Sequence, residues 1–257
     1  MSSFKDKVVI VTGASSGIGA ATAVHLASLG GLLTIVGRNV DKLQETADNI
    51  VAAGGAPALL VQADMNNESD VEEIVKETLK KHGRVDVLVN NAGIFETGTI
   101  ENTSVAQYDR VMNTNVRALY QLTMLATPEL IMTKGCIVNV SSVNGIRSFP
   151  GVLAYNVSKA AVDQFTRCVA LELAPKGVRV NSVNPGVIIT DIHKRGGMDE
   201  ATYQKFLEHS RTTHAMGRPG DVKEVAAAIA FLASDAASFT TGVSLAVDGG
   251  RHAMCPR

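Results

Sequence analysis

Tryptophan is absent from the 257 residues, and phenylalanine and tyrosine together supply only 4% of them. A binding cleft is therefore expected to be walled mostly by aliphatic and small polar groups. Cysteine is also scarce. Cys136, Cys168 and Cys255 share no CxxC or other ligand spacing. The expectation is two small buried hydrophobes and one tail thiol in a reducing compartment. The histidines are dispersed and no HExxH is present, so no metal site is expected. Neither charge is in excess: 24 Lys and Arg face 25 Asp and Glu, a formal net charge of −1. The basic residues are scattered, which argues against nucleic acid or an anionic membrane as partner. No apolar run approaches the roughly 20 residues of a membrane span. Met1-Ser2-Ser3-Phe4-Lys5-Asp6-Lys7 mixes charges before a short apolar run, unlike a signal peptide. A cytoplasmic protein is expected.

What is present is a rhythm. Short, continuous, β-branched runs occur at 8–11, 32–36, 58–61, 85–89, 137–140, 178–183 and 243–247. Runs without alternation suit strands covered on both faces, as in a parallel sheet. Helical patterns lie between them at 20–29, 40–53, 68–81, 104–131, 153–174 and 221–233. The predicted fold is α/β: a doubly wound Rossmann arrangement with a seven-stranded parallel sheet and helices on both faces. No repeat or long linker divides the chain, so 1–257 reads as one domain. Residues from about 190 to 217 break the rhythm with Gly196-Gly197, several charges and three histidines. A long connection on the ligand side of such a sheet reads as a substrate lid.

Directly after the first run comes Thr12-Gly13-Ala14-Ser15-Ser16-Gly17-Ile18-Gly19, opening a helix. Glycine allows the tight turn and the close approach of backbone to a pyrophosphate, while the helix N-terminus offers unpaired N–H groups and a positive dipole end. Many tight strand-to-helix turns use glycines with no ligand, so this motif carries little alone. The same holds for Tyr155 and Lys159. Four residues apart on a helix, the phenol and ammonium are neighbours. An ammonium would draw the phenol down from its free value of about 10 towards the working range. On spacing alone, an accidental pair is the stronger reading.

The ordered set of motifs changes that. Thr12-Gly13…Gly17-Ile18-Gly19 is followed by Asn90-Asn91-Ala92-Gly93, then Asn113-Thr114-Asn115-Val116 and Ser142. Tyr155-Asn156-Val157-Ser158-Lys159 comes thirteen residues after Ser142, and Pro185-Gly186 and Val247-Asp248-Gly249-Gly250 close the series. In this order they resemble the classical short-chain dehydrogenase/reductase family over essentially the whole chain. The resemblance implies a hydride transfer between a nicotinamide dinucleotide and a carbonyl or secondary alcohol. Tyr155 would be the acid/base. Ser142 would polarise the carbonyl, and Lys159 would tune Tyr155 and hold the nicotinamide ribose. Asn115 would hold a water on the proton path, although a polar residue satisfying backbone inside a helix is the rival reading. Ser141 is the less suitable serine by spacing.

The resemblance also implies a cofactor footprint: Gly13, Ser15, Ser16, Gly17, Ile18 and Gly19 at the phosphates, and Asn91, Ala92 and Gly93 at the ribose and nicotinamide half. Pro185, Gly186, Ile188 and Thr190 would support the nicotinamide and its carboxamide. Asp64 and Met65 would meet the adenine, with an N-cap as the rival for Asp64. After the second strand stand Arg38 and Asn39, with no acid before Asp41. An acid there would read a ribose 2′-hydroxyl, whereas Arg38 suits a 2′-phosphate. NADP(H) is therefore favoured over NAD(H), with a solvated surface arginine as the rival reading. Ser16 stands where many relatives carry a second basic residue.

Substrate contacts are expected from Ile94, Phe95, Ser142, Val143, Asn144, Phe149, Leu153, Tyr155 and the lid. They are mostly apolar, with no cluster of Arg or Lys for an anion, which implies a fairly hydrophobic small-molecule carbonyl or alcohol. The chain looks most similar to 3-oxoacyl-acyl-carrier-protein reductases, tropinone reductases and related carbonyl reductases. An NAD-dependent secondary-alcohol or steroid dehydrogenase is the alternative. From another class, a catalytically silent dinucleotide-binding redox sensor remains. The family habit of pairing long helices implies a homodimer or homotetramer; the tail 251–257 has no assigned role.

Overall fold

A computed structural model of the chain describes residues 3–254; Cys255, expected as a tail thiol, lies outside them, and of the two cysteines expected to be buried Cys136 is buried whereas Cys168 is exposed. Seven strands, β1 Val8–Thr12, β2 Leu32–Gly37, β3 Leu59–Gln62, β4 Val87–Asn90, β5 Cys136–Val140, β6 Arg179–Pro185 and β7 Ser244–Val247, form one parallel sheet. Their order is β3-β2-β1-β4-β5-β6-β7, every pair parallel. The order reverses between β1 and β4, and the carboxyl ends of strands at such a reversal open a crevice for ligands.

Alternate residues of the continuous runs feed two separate cores. Val9, Val11, Leu33, Ile35, Val138 and Val140 enter one; Ile10, Val36, Leu88 and Ile137 enter the other. Each buried aliphatic side chain is worth about 1.5–3 kcal/mol. The helices that cover the faces are α1 Gly17–Ser28, α2 Val40–Ala52, α3 Glu68–His82, α4 Val105–Met112, α5 Ala118–Thr133, α6 Val143–Ile146, α7 Leu153–Leu173, α8 Ile192–Arg195, α9 Glu200–Thr213 and α10 Val222–Ala233. No helix among the described residues is long and apolar enough to cross a membrane.

Three departures from expectation bear on function. The first helix opens at Gly17 rather than 20, so Gly17-Ile18-Gly19 is helix and not turn. The expected single helix over 104–131 is interrupted by a π turn at Asn113–Arg117, where the Ala118 N–H donates to the Asn113 carbonyl. Asn and Thr are weak helix formers, and π turns recur where a side chain must be re-aimed; here that residue is Asn115. The expected irregular lid contains α8 and α9.

Candidate active site

The glycine turn is set by its neighbours. Gly13 has φ +63°, and a Cβ there would stand 2.9 Å from Asn91 Nδ2 and 3.0 Å from Ala92 Cα. Only glycine combines that backbone with so close an approach. Asn91 makes the approach possible by donating from Nδ2 to the Thr12 carbonyl at 2.8 Å, while Thr12 Oγ1 accepts from the Asn91 and Ala92 N–H groups, both at 3.0 Å. Gly19, expected to touch cofactor, stands outside the cleft wall. It meets the Gly13 carbonyl and Asn91 and serves close helix–strand packing. The N-cap Ser16 makes no side-chain cap to α1, and the first turn of α1 holds no acid. By contrast, Asn39, Asn67 and Asp221 cap α2, α3 and α10. The N–H groups opening α1 are therefore available to an anion.

One cleft of about 810 Å³ runs from this turn across the sheet, within the usual size of ligand sites. Ser15, Ser16, Gly17, Arg38, Lys42 and Asp64 wall one end, and Ser142, Tyr155 and Lys159 wall the other. Ala92, Gly93, Pro185, Gly186, Ile188 and Thr190 lie along it. Thr190 is braced by Tyr203 of α9, whose hydroxyl donates to the Thr190 carbonyl at 3.0 Å. The glycine cradle, uncapped helix and elongated cleft fit a dinucleotide. Asn39 Oδ1 accepts from the Lys42 N–H at 2.9 Å, which leaves its Nδ2 and its main chain for a ligand. Asp64 is not a helix cap; Asn67 caps α3. Asp64 instead accepts from the Asn66 N–H and Nδ2 at 3.0 and 3.1 Å.

At the other end, Ser142 follows β5 as the N-cap of α6 and accepts from the Asn144 N–H at 3.1 Å. Its hydroxyl donates to Asn144 Oδ1 at 3.1 Å, and Asn144 Nδ2 donates to Asn156 Oδ1 at 2.7 Å. Asn144, expected at the substrate, thus also orients the serine. Ser141 turns its hydroxyl to the Lys159 carbonyl at 3.1 Å. Burial pushes the Tyr155 phenol up to about 12, with the facing Ser142 hydroxyl pulling the other way. Lys159 Nζ sits 5.6 Å from the Tyr155 ring centroid and donates to the Val140 carbonyl at 2.9 Å. Burial lowers its ammonium to about 8, opposed by the Asp163 carboxylate.

Asn115 is 1% exposed and absent from the cleft wall. Its Oδ1 accepts from the Ile94 N–H at 2.8 Å, and Nδ2 donates to the Ile94 carbonyl and Ser158 Oγ, both at 3.0 Å. The side chain is committed to satisfying backbone and clamping the segment after β4 onto α7. Leu153, expected at the substrate, also lies outside the wall, where Val152 stands instead. Its N–H donates to the Gly98 carbonyl as α7 opens. Ile94, Phe95, Val143, Asn144 and Phe149 do line the cleft.

Sequence reasoning missed a buried support beneath Ser142. Asn184 of β6 donates from Nδ2 to the Ser142 carbonyl and to Asp163 Oδ2, both at 2.8 Å. Ser182 Oγ donates to Asp163 Oδ1 at 3.3 Å. No local pattern marks Asn184, because its partners come from β5 and α7. Asn184→Leu would take one donor from the buried Ser142 carbonyl, leaving it the Gly145 N–H, and one from the Asp163 carboxylate, leaving it Ser182 Oγ, at a cost of about 1–3 kcal/mol. We expect Tm to fall by about 2–10 °C, with kcat reduced and the Kd for cofactor held, read by melting, kinetics and binding on one preparation.

Comparisons with known proteins give the family. A family model described as Enoyl-(Acyl carrier protein) reductase matches residues 13–252. The chain belongs to the short-chain dehydrogenase/reductase family. It is 37% identical over 251 residues to a meso-2,3-butanediol dehydrogenase of Serratia marcescens, covering 97% of this chain and 96% of that one. It is 38% identical over 248 residues to a 3-oxoacyl-acyl-carrier-protein reductase of Thermotoga maritima, covering 95% and 97%. A solved short-chain dehydrogenase/reductase of Caenorhabditis elegans, with cofactor, superposes with TM-score 0.93 at 38% identity over 98% and 97%. The enzyme is thus an oxidoreductase of the alcohol–carbonyl type that binds a nicotinamide dinucleotide and acts on small molecules.

Proposed function

We propose that the enzyme reduces a ketone or aldehyde to an alcohol, or runs the reverse, with NADP(H) preferred and Tyr155, Ser142 and Lys159 as its catalytic residues. The observation that carries this reading is one continuous cleft with the Ser142–Tyr155–Lys159 cluster at one end and Arg38 at the other. The cofactor supplies or accepts the hydride. Ser142 would turn its single O–H from Asn144 Oδ1 to the carbonyl oxygen, where negative charge develops. Tyr155 delivers the proton, since burial keeps its phenol protonated at neutral pH. Lys159 holds the ribose hydroxyls, and its positive charge makes Tyr155 a better acid. Asn115 acts here as a positioning residue, holding the Ile94 backbone against α7.

Arg38 is exposed and lines the adenosine end beside Lys42, which favours a 2′-phosphate. A second guanidinium reaches the same end from the lid. Arg195 of α8 donates from Nη1 to Ser16 Oγ at 2.8 Å, near the position where the glycine turn itself carries no basic residue. In this reading the chain is one catalytic domain with 190–217 as its substrate lid. The assembly is a homodimer or homotetramer, which exposed Tyr120 and Met124 on α5 and Leu171 on α7 support.

The test is consumption of NADPH and NADH with a panel of ketones and aldehydes, followed across pH. Turnover with preference for NADPH is expected. Lys159 carries its charge below about 8 and loses it above. Reductive kcat/KM should therefore be flat below that point and fall by about tenfold per pH unit beyond it. Saturable cofactor binding with no turnover on any carbonyl would instead identify a redox sensor. A profile that rises through pH 8 would remove Lys159's charge from the mechanism.

A further inference from the structure

Residues 251–254, beyond β7, return to the cleft, where Arg251 joins the wall. After β7, Asp248 Oδ1 accepts from the Gly250 N–H at 3.1 Å, and Oδ2 accepts from the His252 N–H at 2.6 Å and approaches His252 Nδ1 at 2.9 Å. These bonds shape a short 3₁₀ turn, Arg251–Ala253. Arg147, the C-cap of α6, locks the turn in place. Its Nη1 donates to the carbonyls of Arg251, His252 and Met254 at 3.4, 2.8 and 2.6 Å. Ser142 caps the other end of α6. Four helical residues thus tie the tail turn to the serine at the reactive end.

This turn presents Arg251 in the cleft wall. The guanidinium lies over the Phe149 ring, Cζ 4.4 Å from the centroid. Among the described residues it has no hydrogen-bond or ion-pair partner, and its Nε is buried without one. Asp248, the nearest acid that acts on it, is already taken by the three donors above. Burial and the neighbouring Arg147 both push Arg251 below its ordinary value. The guanidinium is half-buried with its Nε out of water and unpartnered, and an arriving anion would supply the acceptor it lacks. The cleft lining also holds an aromatic stretch: Phe95 packs edge-on to Tyr155 at 5.1 Å and to His193 at 4.7 Å, and His193 packs on Phe206 at 4.6 Å.

Building on the carbonyl-reductase reading, we propose that the natural substrate carries a carboxylate remote from its carbonyl, and that Arg251 binds it. A ring beneath the guanidinium leaves its donor edge free for a planar, bidentate acceptor. The aliphatic middle of the substrate would run along Phe95 and Phe206. This refines the expectation of a fairly hydrophobic substrate with no anion site, which arose because Arg251 stands about a hundred residues from Phe149 in the chain.

The experiment compares oxo acids of increasing chain length with their methyl esters, using wild type, Arg251→Gln and Arg251→Lys. For the acid of matching length, wild type should favour the acid over its ester by about 10- to 100-fold in kcat/KM, mostly through KM. In R251Q that ratio should collapse towards one, and R251K should restore part of it. KM for the cofactor should hold throughout. Equal preference for acid and ester, a loss in R251Q shared by both, or a shift confined to cofactor KM would overturn the assignment. So would a neutral polyol preferred over every acid. Calorimetric titration of the same acids onto cofactor-loaded protein reads Arg251 without turnover. Binding that is lost in R251Q, with no reduction of any carbonyl, keeps the carboxylate site and sinks the reductase reading. Absent binding of every acid sinks the site whatever the turnover.

Discussion

Tyr155→Phe should lower kcat by about 10²- to 10⁴-fold, the usual worth of a positioned proton donor, while the Kd for cofactor changes little. The substitution removes one oxygen and leaves the ring in its contact with Phe95. A packing defect is therefore a poor rival explanation for a large effect. The phenol oxygen is buried and faces Ser142, and burial holds its proton on at neutral pH. In the reductive direction that proton must go to the forming alkoxide, and in the proposed reading Tyr155 gives it while Lys159, with one N–H on the Val140 carbonyl, keeps its others for the ribose hydroxyls. Cofactor binding measured beside kcat separates the two roles. Retained turnover in Y155F would move the proton transfer to another group, and a parallel loss of binding would make Tyr155 a structural residue.

The second large effect is expected at the far end of the cleft. Arg38→Asp should weaken kcat/KM with NADPH by about 100-fold or more, the worth of a lost bidentate, charge-assisted contact. The new carboxylate would also repel a 2′-phosphate. With NADH the change should be no more than a few-fold, because an acid in this place can accept from the ribose 2′-hydroxyl. Arg38 is exposed and its backbone carbonyl accepts from Gln62 Nε2 at 3.1 Å, so the fold does not depend on its charge. Equal losses with both cofactors would return Arg38 to the solvated surface.

The parts of this site that were legible in the sequence share a physical cause. Runs such as 8–11 read as interior strands because both faces of the sheet are covered, and the two cores take alternate residues from them. Gly13 read as functional because its backbone and its neighbours leave no room for a Cβ. The helix break at Asn113–Arg117 was not legible, since its neighbours carry an unbroken helical pattern and only the tertiary clamp on Ile94 and Ser158 fixes it. Asn184 needs β6 laid beside β5 and α7 before it meets Ser142 and Asp163. Arg195 needs the lid folded onto the glycine turn. Arg251 needs the whole sheet closed, because its platform, Phe149, follows a different strand.

The central claim is that hydride passes between the nicotinamide and a carbonyl carbon held by Ser142 and Tyr155. The most direct measurement supplies NADPH deuterated at C4, in each of its two stereochemical forms, with a ketone that wild type consumes. Mass spectrometry and NMR of the product then locate the label. One of the two forms should deliver deuterium to the carbinol carbon and the other should not, with the new hydroxyl proton coming from solvent through Tyr155. Label reaching neither alcohol, or reaching both equally, would contradict a single bound geometry for the transfer.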